Sequence, residues 1–230
     1  LTQAGADIAG LKAKGLAAAE KEADQELEAD IVVIGAGGAG LAAAVTANQA
    51  GAKVIVLEKM PKVGGNTILA GGALNAVDDG SETAASTEDS VQKHYDQTYE
   101  GGDKQADPVL VQTLVGNAWD GVEWLQGLGM EFQDGVFTVT GGMWPRAHKP
   151  VDPVGTGFFN TYSDYISQHD GLEIMLNTEA TDIQKDADGR VTTVIATGET
   201  GNQVTVHASK GVIVATGGFG KNVALRQEVN

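Results

Sequence analysis

The run Gly35-Ala36-Gly37-Gly38-Ala39-Gly40 places three glycines at the spacing G-x-G-x-x-G, and Glu58 follows within the next thirty residues. These residue types suit one chemistry, the binding of a dinucleotide. Gly35 permits a tight turn from strand to helix, Gly37 lets backbone approach a pyrophosphate, and Gly40 lets the helix pack closely on the strand. Peptide N–H groups left unpaired at a helix start donate to negative oxygens, and the helix dipole favours the same charge. A carboxylate at the tip of the next strand, here Glu58, accepts hydrogen bonds from ribose hydroxyls.

A glycine-rich loop is a weak signal alone, so the flanking elements decide. Ile31-Val32-Val33-Ile34 is a short β-branched run that suits a strand buried on both faces of a parallel sheet. Leu41 to Ala50 predicts a helix of small residues closed by Gly51, and Lys53 to Leu57 a second buried strand ending at Glu58. Strand, turn, helix, strand and acid therefore stand in the order that a dinucleotide-binding βαβ unit requires.

Downstream, Pro61 to Asn75 reads as a glycine-rich loop, and the acids from Asp78 to Asp89 as a solvated face. Two helices are expected next. Thr87 is the expected cap of the first, and Asp107-Pro108 the cap and first residue of the second. On the second, Val111, Leu114, Val115, Val122 and Leu125 recur at helical spacing, which makes Trp119 and Trp124 packing residues. Gly155 to Gln168 predicts a further helix. Leu172 to Lys185, Arg190 to Thr197 and Gln203 to Ala208 predict a three-stranded meander with turns at Asp188-Gly189 and Thr200-Gly201. Gly211 to Ala215 predicts a last buried strand. Residues 1–28 read as a partly helical linker and residues 29–230 as one domain.

Composition narrows the function classes. Thirty-one acidic against fifteen basic side chains give a net charge of −16, which opposes binding to nucleic acid or to an anionic membrane. No apolar run approaches the roughly 20 residues of a membrane span. The absence of cysteine excludes disulfides, thiolate metal sites and cysteinyl flavin links, and leaves the compartment open.

The residues leave open which dinucleotide is bound. A simple NAD domain would continue with further βα units. This chain continues instead with Lys59-Met60-Pro61-Lys62-Val63-Gly64-Gly65-Asn66-Thr67 and Ala70-Gly71-Gly72-Ala73-Leu74-Asn75. On these residues the stretch from Ala29 to Asn75 resembles the flavoproteins of the fumarate reductase and succinate dehydrogenase family. Within that family it is most like the soluble, single-chain branch of flavocytochrome fumarate reductases and urocanate reductases. Arg146-Ala147-His148-Lys149-Pro150 and Ala215-Thr216-Gly217-Gly218-Phe219-Gly220-Lys221-Asn222 resemble two further segments of the family.

The resemblance implies an α/β fold, a Rossmann-like FAD-binding domain of the glutathione-reductase type with a parallel sheet and a three-stranded β-meander, truncated before the capping domain. It implies that Ala39 and its neighbouring amides face the pyrophosphate of FAD, and that Glu58, with Lys59 beside it, serves the adenosine ribose. Gly65, Asn66 and Thr67 would lie on the flavin side, with Gly71 and Gly72 bringing backbone to the isoalloxazine. Ala180 would contact adenine through its main chain, and Ala215, Thr216, Gly217 and Gly218 would close the pocket. Asn66 stands where membrane-complex members carry a flavin-linked histidine, so the FAD is expected to be non-covalent.

By the same resemblance the substrate is a dicarboxylate or related α,β-unsaturated acid, reduced by hydride transfer from flavin N5. The groups that hold substrate and supply the proton belong to a capping domain beyond this stretch, so no catalytic residue is assigned here. Residues 1–29 resemble the linker after an FMN-bearing domain in some two-flavin members, and the electron donor stays unidentified. A ketosteroid-dehydrogenase-like FAD enzyme and a non-catalytic flavin-binding fragment are the alternatives. Arg146, His148 and Lys149 form a small basic cluster, suited either to attracting an anion or to stabilising a loop. His94, His169 and His207 read as surface residues, and no pair of side chains has metal-ligand spacing.

Overall fold

A computed structural model describes residues 21–220 and 222–228. The linker expected over residues 1–28 lies mostly outside them. Strand β1 spans Gln25–Ile34, starting six residues before the apolar run Ile31–Ile34, because its first half is polar and pairs at the sheet's end. Helix α1 (Gly38–Gln49) and strand β2 (Val54–Leu57) complete the βαβ unit. An excursion follows: a 3-10 turn at Thr67–Leu69, strand β3 (Leu74–Asn75), helices α2 (Glu82–Thr87), α3 (Val91–Gly101), α4 (Pro108–Gly116) and α5 (Ala118–Gly127), then strand β4 (Ala147–His148). The chain returns through helix α6 (Thr156–Gln168) to strands β5 (Leu172–Met175), β6 (Glu179–Lys185), β7 (Val191–Thr197) and β8 (Gln203–Val214), and helix α7 (Val223–Glu228).

Six strands form one sheet in the order β5-β2-β1-β8-β7-β6. The first four pair in parallel, and β8-β7-β6 pair antiparallel. Side-chain alternation assigns the two faces. Val33, Val54 and Val56 pack on Leu41 and Val45 of α1 and on Phe159 and Tyr162 of α6. Val32, Ile34, Ile55 and Leu57 point the other way and pack with Val194 of β7 and with Val204 and Val206 of β8. Each such fully buried aliphatic side chain contributes about 1.5–3 kcal/mol, so this double-sided core fixes the parallel register. Burial lifts the Tyr162 phenol to about 12, so that ring packs as a neutral group.

Several expectations need correction. Leu172 to Lys185 is two strands: β5 joins the parallel sheet beside β2, and only β6 enters the meander. The segments Gln203–Ala208 and Gly211–Ala215 are one strand, β8, whose start pairs with β7 and whose whole length pairs with β1. Thr87 caps nothing; it closes α2, and the Ser90 hydroxyl caps α3 by accepting from the Lys93 amide. Asp107 does cap α4, accepting from the amides of Val109 and Leu110, with Pro108 in the first turn. The apolar series beyond it is split between α4 and α5 at Asn117, which turns Leu114 out to 66% exposure while Val111, Val115, Val122 and Leu125 stay buried. Trp124 packs against Tyr162 and donates to Gln49, and Trp119 packs against His148, both as packing residues.

Candidate cofactor site

The glycine loop sits where β1 ends and α1 begins. Gly35 takes φ 104°, and a Cβ there would stand 2.6 Å from the carbonyl oxygen of Ala215. A Cβ on Gly40 would fall inside contact distance of the Gly35 carbonyl oxygen, so the helix packs onto its own turn only without a side chain there. Gly37 faces open space. Helix α1 has no capping side chain and no acid in its first turn. The Ala39 and Gly40 amides find no acceptor among the described residues, an arrangement that favours an anion.

Glu58, only 7% exposed, leaves β2 and turns back onto the loop. Its Oε2 accepts from the Ala36 amide at 2.7 Å and its Oε1 from the Met60 amide at 2.9 Å. Two backbone bonds fix the carboxylate's orientation and leave lone pairs for a hydroxyl-bearing ligand. Beside it lies a cleft of about 160 Å³ lined by Gly35, Glu58, Lys59, Thr178, Ala180 and Thr216, among others. Residues far apart in the chain thus meet at the C-terminal ends of the parallel strands, where open α/β sheets bind ligands. Gly217 (φ 78°) and Gly218 are exposed just beyond Thr216 and do not line that cleft.

The loop after Glu58 is tied to the glycine turn. Gly64 donates to the Ala36 carbonyl at 2.9 Å and bridges to Gly37, and Gly65 (φ 50°) lies over the Gly37 Cα. The Thr67 hydroxyl accepts from the Gly38 amide at 3.2 Å. Asn66 is exposed at the start of the 3-10 turn, and Gly71 faces open space. Gly72 has a different reason to be glycine: a Cβ there would strike the Val154 carbonyl, so its approach is to protein backbone.

The basic cluster resolves differently from a substrate site. Arg146 is buried, and its guanidinium donates to both Asp89 carboxylate oxygens at 2.9 and 2.7 Å and to Gln97 at 2.7 Å. The Asp89 side chain is 2% exposed, which removes it from the solvated acidic face expected for Asp78 to Asp89. Sequence spacing carries no signal for this pair, because fifty-seven positions separate its members. His148 lies against Trp119 and Phe132 and bonds the Ala76 carbonyl; burial lowers its pKa, against the opposing pull of that carbonyl. His94 is buried instead of surface-exposed, and its Nδ1 has no partner among the described residues. Burial first, and the charge of Arg146 second, hold its pKa below the usual value. His169 is exposed and stacks on Tyr165; His207 is half-buried between Glu26 and Thr193.

A strand-end cleft with a fixed carboxylate, beside a helix start with free amides, defines a Rossmann-type dinucleotide-binding protein. The family model described as FAD binding domain matches residues 30–230, and the chain belongs to that family. Its cofactor is FAD, and the residues just described suit it: amides for the pyrophosphate, Glu58 for a ribose, glycine backbone elsewhere. Two curated relatives are each 36% identical to it. Fumarate reductase (cytochrome) of Shewanella frigidimarina matches 84% of this chain and 34% of its own length; urocanate reductase of Eggerthella lenta matches 97% and 38%. The open conformation of a flavocytochrome c3 fumarate reductase superposes with a TM-score of 0.78 at 30% identity, covering 95% of this chain and 37% of that one. This chain therefore spans little more than a third of the length of these relatives.

Proposed function

We propose that this chain is the FAD-binding part of a flavoprotein oxidoreductase that reduces an α,β-unsaturated carboxylate of the fumarate type. The observation that carries the reading is the joining of the Gly64–Asn75 loop to the glycine turn through Gly64, Gly65 and Thr67. Such a loop extends the site from the adenosine end toward the other half of a dinucleotide. The similarity to fumarate and urocanate reductases supports the acid substrate. When bound, FAD would supply a hydride from the reduced flavin to one carbon of the double bond.

In this reading the chain's own residues bind and orient. The Ala39 and Gly40 amides neutralise the pyrophosphate, and Glu58 selects the ribose diol. Ala180 and Thr216 enclose the adenosine end, with Ala215 behind Gly35 and Gly217 and Gly218 just outside the cleft. Gly65, Asn66, Thr67, Gly71 and Gly72 present backbone and short polar groups on the flavin side. Asn66 has no nucleophilic atom to offer a flavin methyl group, and the chain has no cysteine, so the cofactor is held without a covalent bond.

Residues that hold substrate and donate the proton lie in the remainder of such an enzyme. A second reading, oxidation of a ketosteroid, draws support from a 3-ketosteroid-Δ4-(5α)-dehydrogenase of Rhodococcus jostii at TM-score 0.73 and 25% identity. Reduced flavin in the complete protein is the test. Reoxidation on adding fumarate or urocanate supports the acid reductase; reoxidation by neither, together with reduction of the oxidised flavin by a 3-ketosteroid, overturns it.

A further inference from the structure

The segment from Arg146 to Gly155 touches the flavin-side loop at three places. Strand β4 pairs with β3 through Leu74–His148 and Asn75–Ala147, and the Ala76 amide donates to the Arg146 carbonyl at 3.0 Å. The Val154 carbonyl fills the space where Gly72 would carry a Cβ. Gly155 lies so close to the Thr67 carbonyl that a Cβ would overlap it. One stretch of chain therefore backs Thr67, Gly72, Leu74 and Asn75 together. At its head stands Arg146, its charge matched by Asp89 and its remaining hydrogen bond given to Gln97 on α3.

A two-pronged arginine–carboxylate pair fixes direction as well as distance, since both oxygens meet the planar guanidinium at once. A partner that breaks leaves a buried charge, so the pair has one arrangement and tolerates little drift. Glu58 and the glycine turn are held chiefly by β1, β2 and β8; the flavin-side loop joins the turn only through Gly64, Gly65 and Thr67, and none of these residues hydrogen-bonds to Arg146.

We infer that Arg146, through Asp89 and Gln97, is a positioning residue for the flavin-side half of the FAD site and leaves the adenosine-side half alone. Its guanidinium is engaged by Asp89 and Gln97, and it acts by setting where the Thr67–Asn75 backbone stands. This rests on reading the Gly64–Asn75 loop as the flavin side.

The test compares dissociation constants for FAD and for ADP, which carries only the adenosine and pyrophosphate half. Arg146→Gln raises the constant for FAD about tenfold or more and leaves that for ADP within about twofold. Arg146→Lys, which keeps the charge and loses the fork, falls between. Gly155→Ala leaves the ion pair intact but presses on the Thr67 carbonyl, and gives the same split between FAD and ADP. FAD and ADP weakening in parallel in both Arg146→Gln and Gly155→Ala would mean general loss of structure and would overturn the inference. Unchanged FAD affinity in Arg146→Gln would do the same. A parent chain that binds ADP but holds FAD no more tightly would instead overturn the flavin-side reading, and the inference with it.

Discussion

Glu58 and His94 are both buried polar side chains, and they differ in what they have been given to bond. Glu58 accepts two backbone amides, so its removal costs twice: it leaves the Ala36 and Met60 amides without acceptors and takes away the ribose partner. Glu58→Ala should lower folding stability by about 1–3 kcal/mol and weaken FAD and ADP binding alike, as read by urea unfolding and calorimetric titration. His94, close to the Arg146 charge, has an Nδ1 without a partner among the described residues, and its pKa in the folded protein lies below the unfolded value of about 6.5. As pH falls through about 6.5 the unfolded chain takes up a proton more readily than the folded chain, so stability falls with pH in that range. His94→Leu should flatten that slope and leave stability at about pH 7.5 equal or higher, since an apolar group there strands no donor or acceptor. Some slope remains from His148, whose pKa is shifted the same way. A slope unchanged by His94→Leu would contradict the assignment.

At the scale of elements, the central parallel strands β1 and β2 were legible because they are buried on two faces and so consist of unbroken, mostly β-branched apolar runs, Ile31–Ile34 and Val54–Leu57. The start of β1 was not, since Gln25–Glu28 alternates polar residues at the sheet's end. Ser90 outcompeted Thr87 as a cap by virtue of its position before α3, which propensity alone does not reveal. Leu172–Lys185 hid a change of partner, from β2 to β7, within one apparently continuous strand. The contact between α1 and its turn is testable directly. Gly40→Ala places a methyl group against the Gly35 carbonyl and should cost about 1–3 kcal/mol of stability, whereas Gly37→Ala, facing open space, should fold normally and lose FAD affinity. Thermal unfolding with and without FAD separates the two.

Over the whole molecule, the candidate site was legible wherever a residue's type suits a dinucleotide. The glycine turn and Glu58 are of this kind, and both now stand at one cleft with Ala180 and Thr216. What escaped the sequence is what answers to the protein itself. Asp89, Gln97, Val154 and Gly155 become meaningful only once the excursion between β2 and β5 folds back on the Gly64–Asn75 loop. Among the described residues no helix is long and apolar enough to cross a membrane. At the centre of the molecule stands a proposed non-covalent FAD site built on Gly35–Gly40 and Glu58. Its most direct measurement is a titration of the purified chain with FAD, followed by acid precipitation and a reading of where the flavin goes. The expected result is saturation at about one FAD per chain, competition by ADP, and flavin released whole into the acid supernatant. Flavin that stays with the precipitate, or FAD binding that ADP cannot displace, would contradict it.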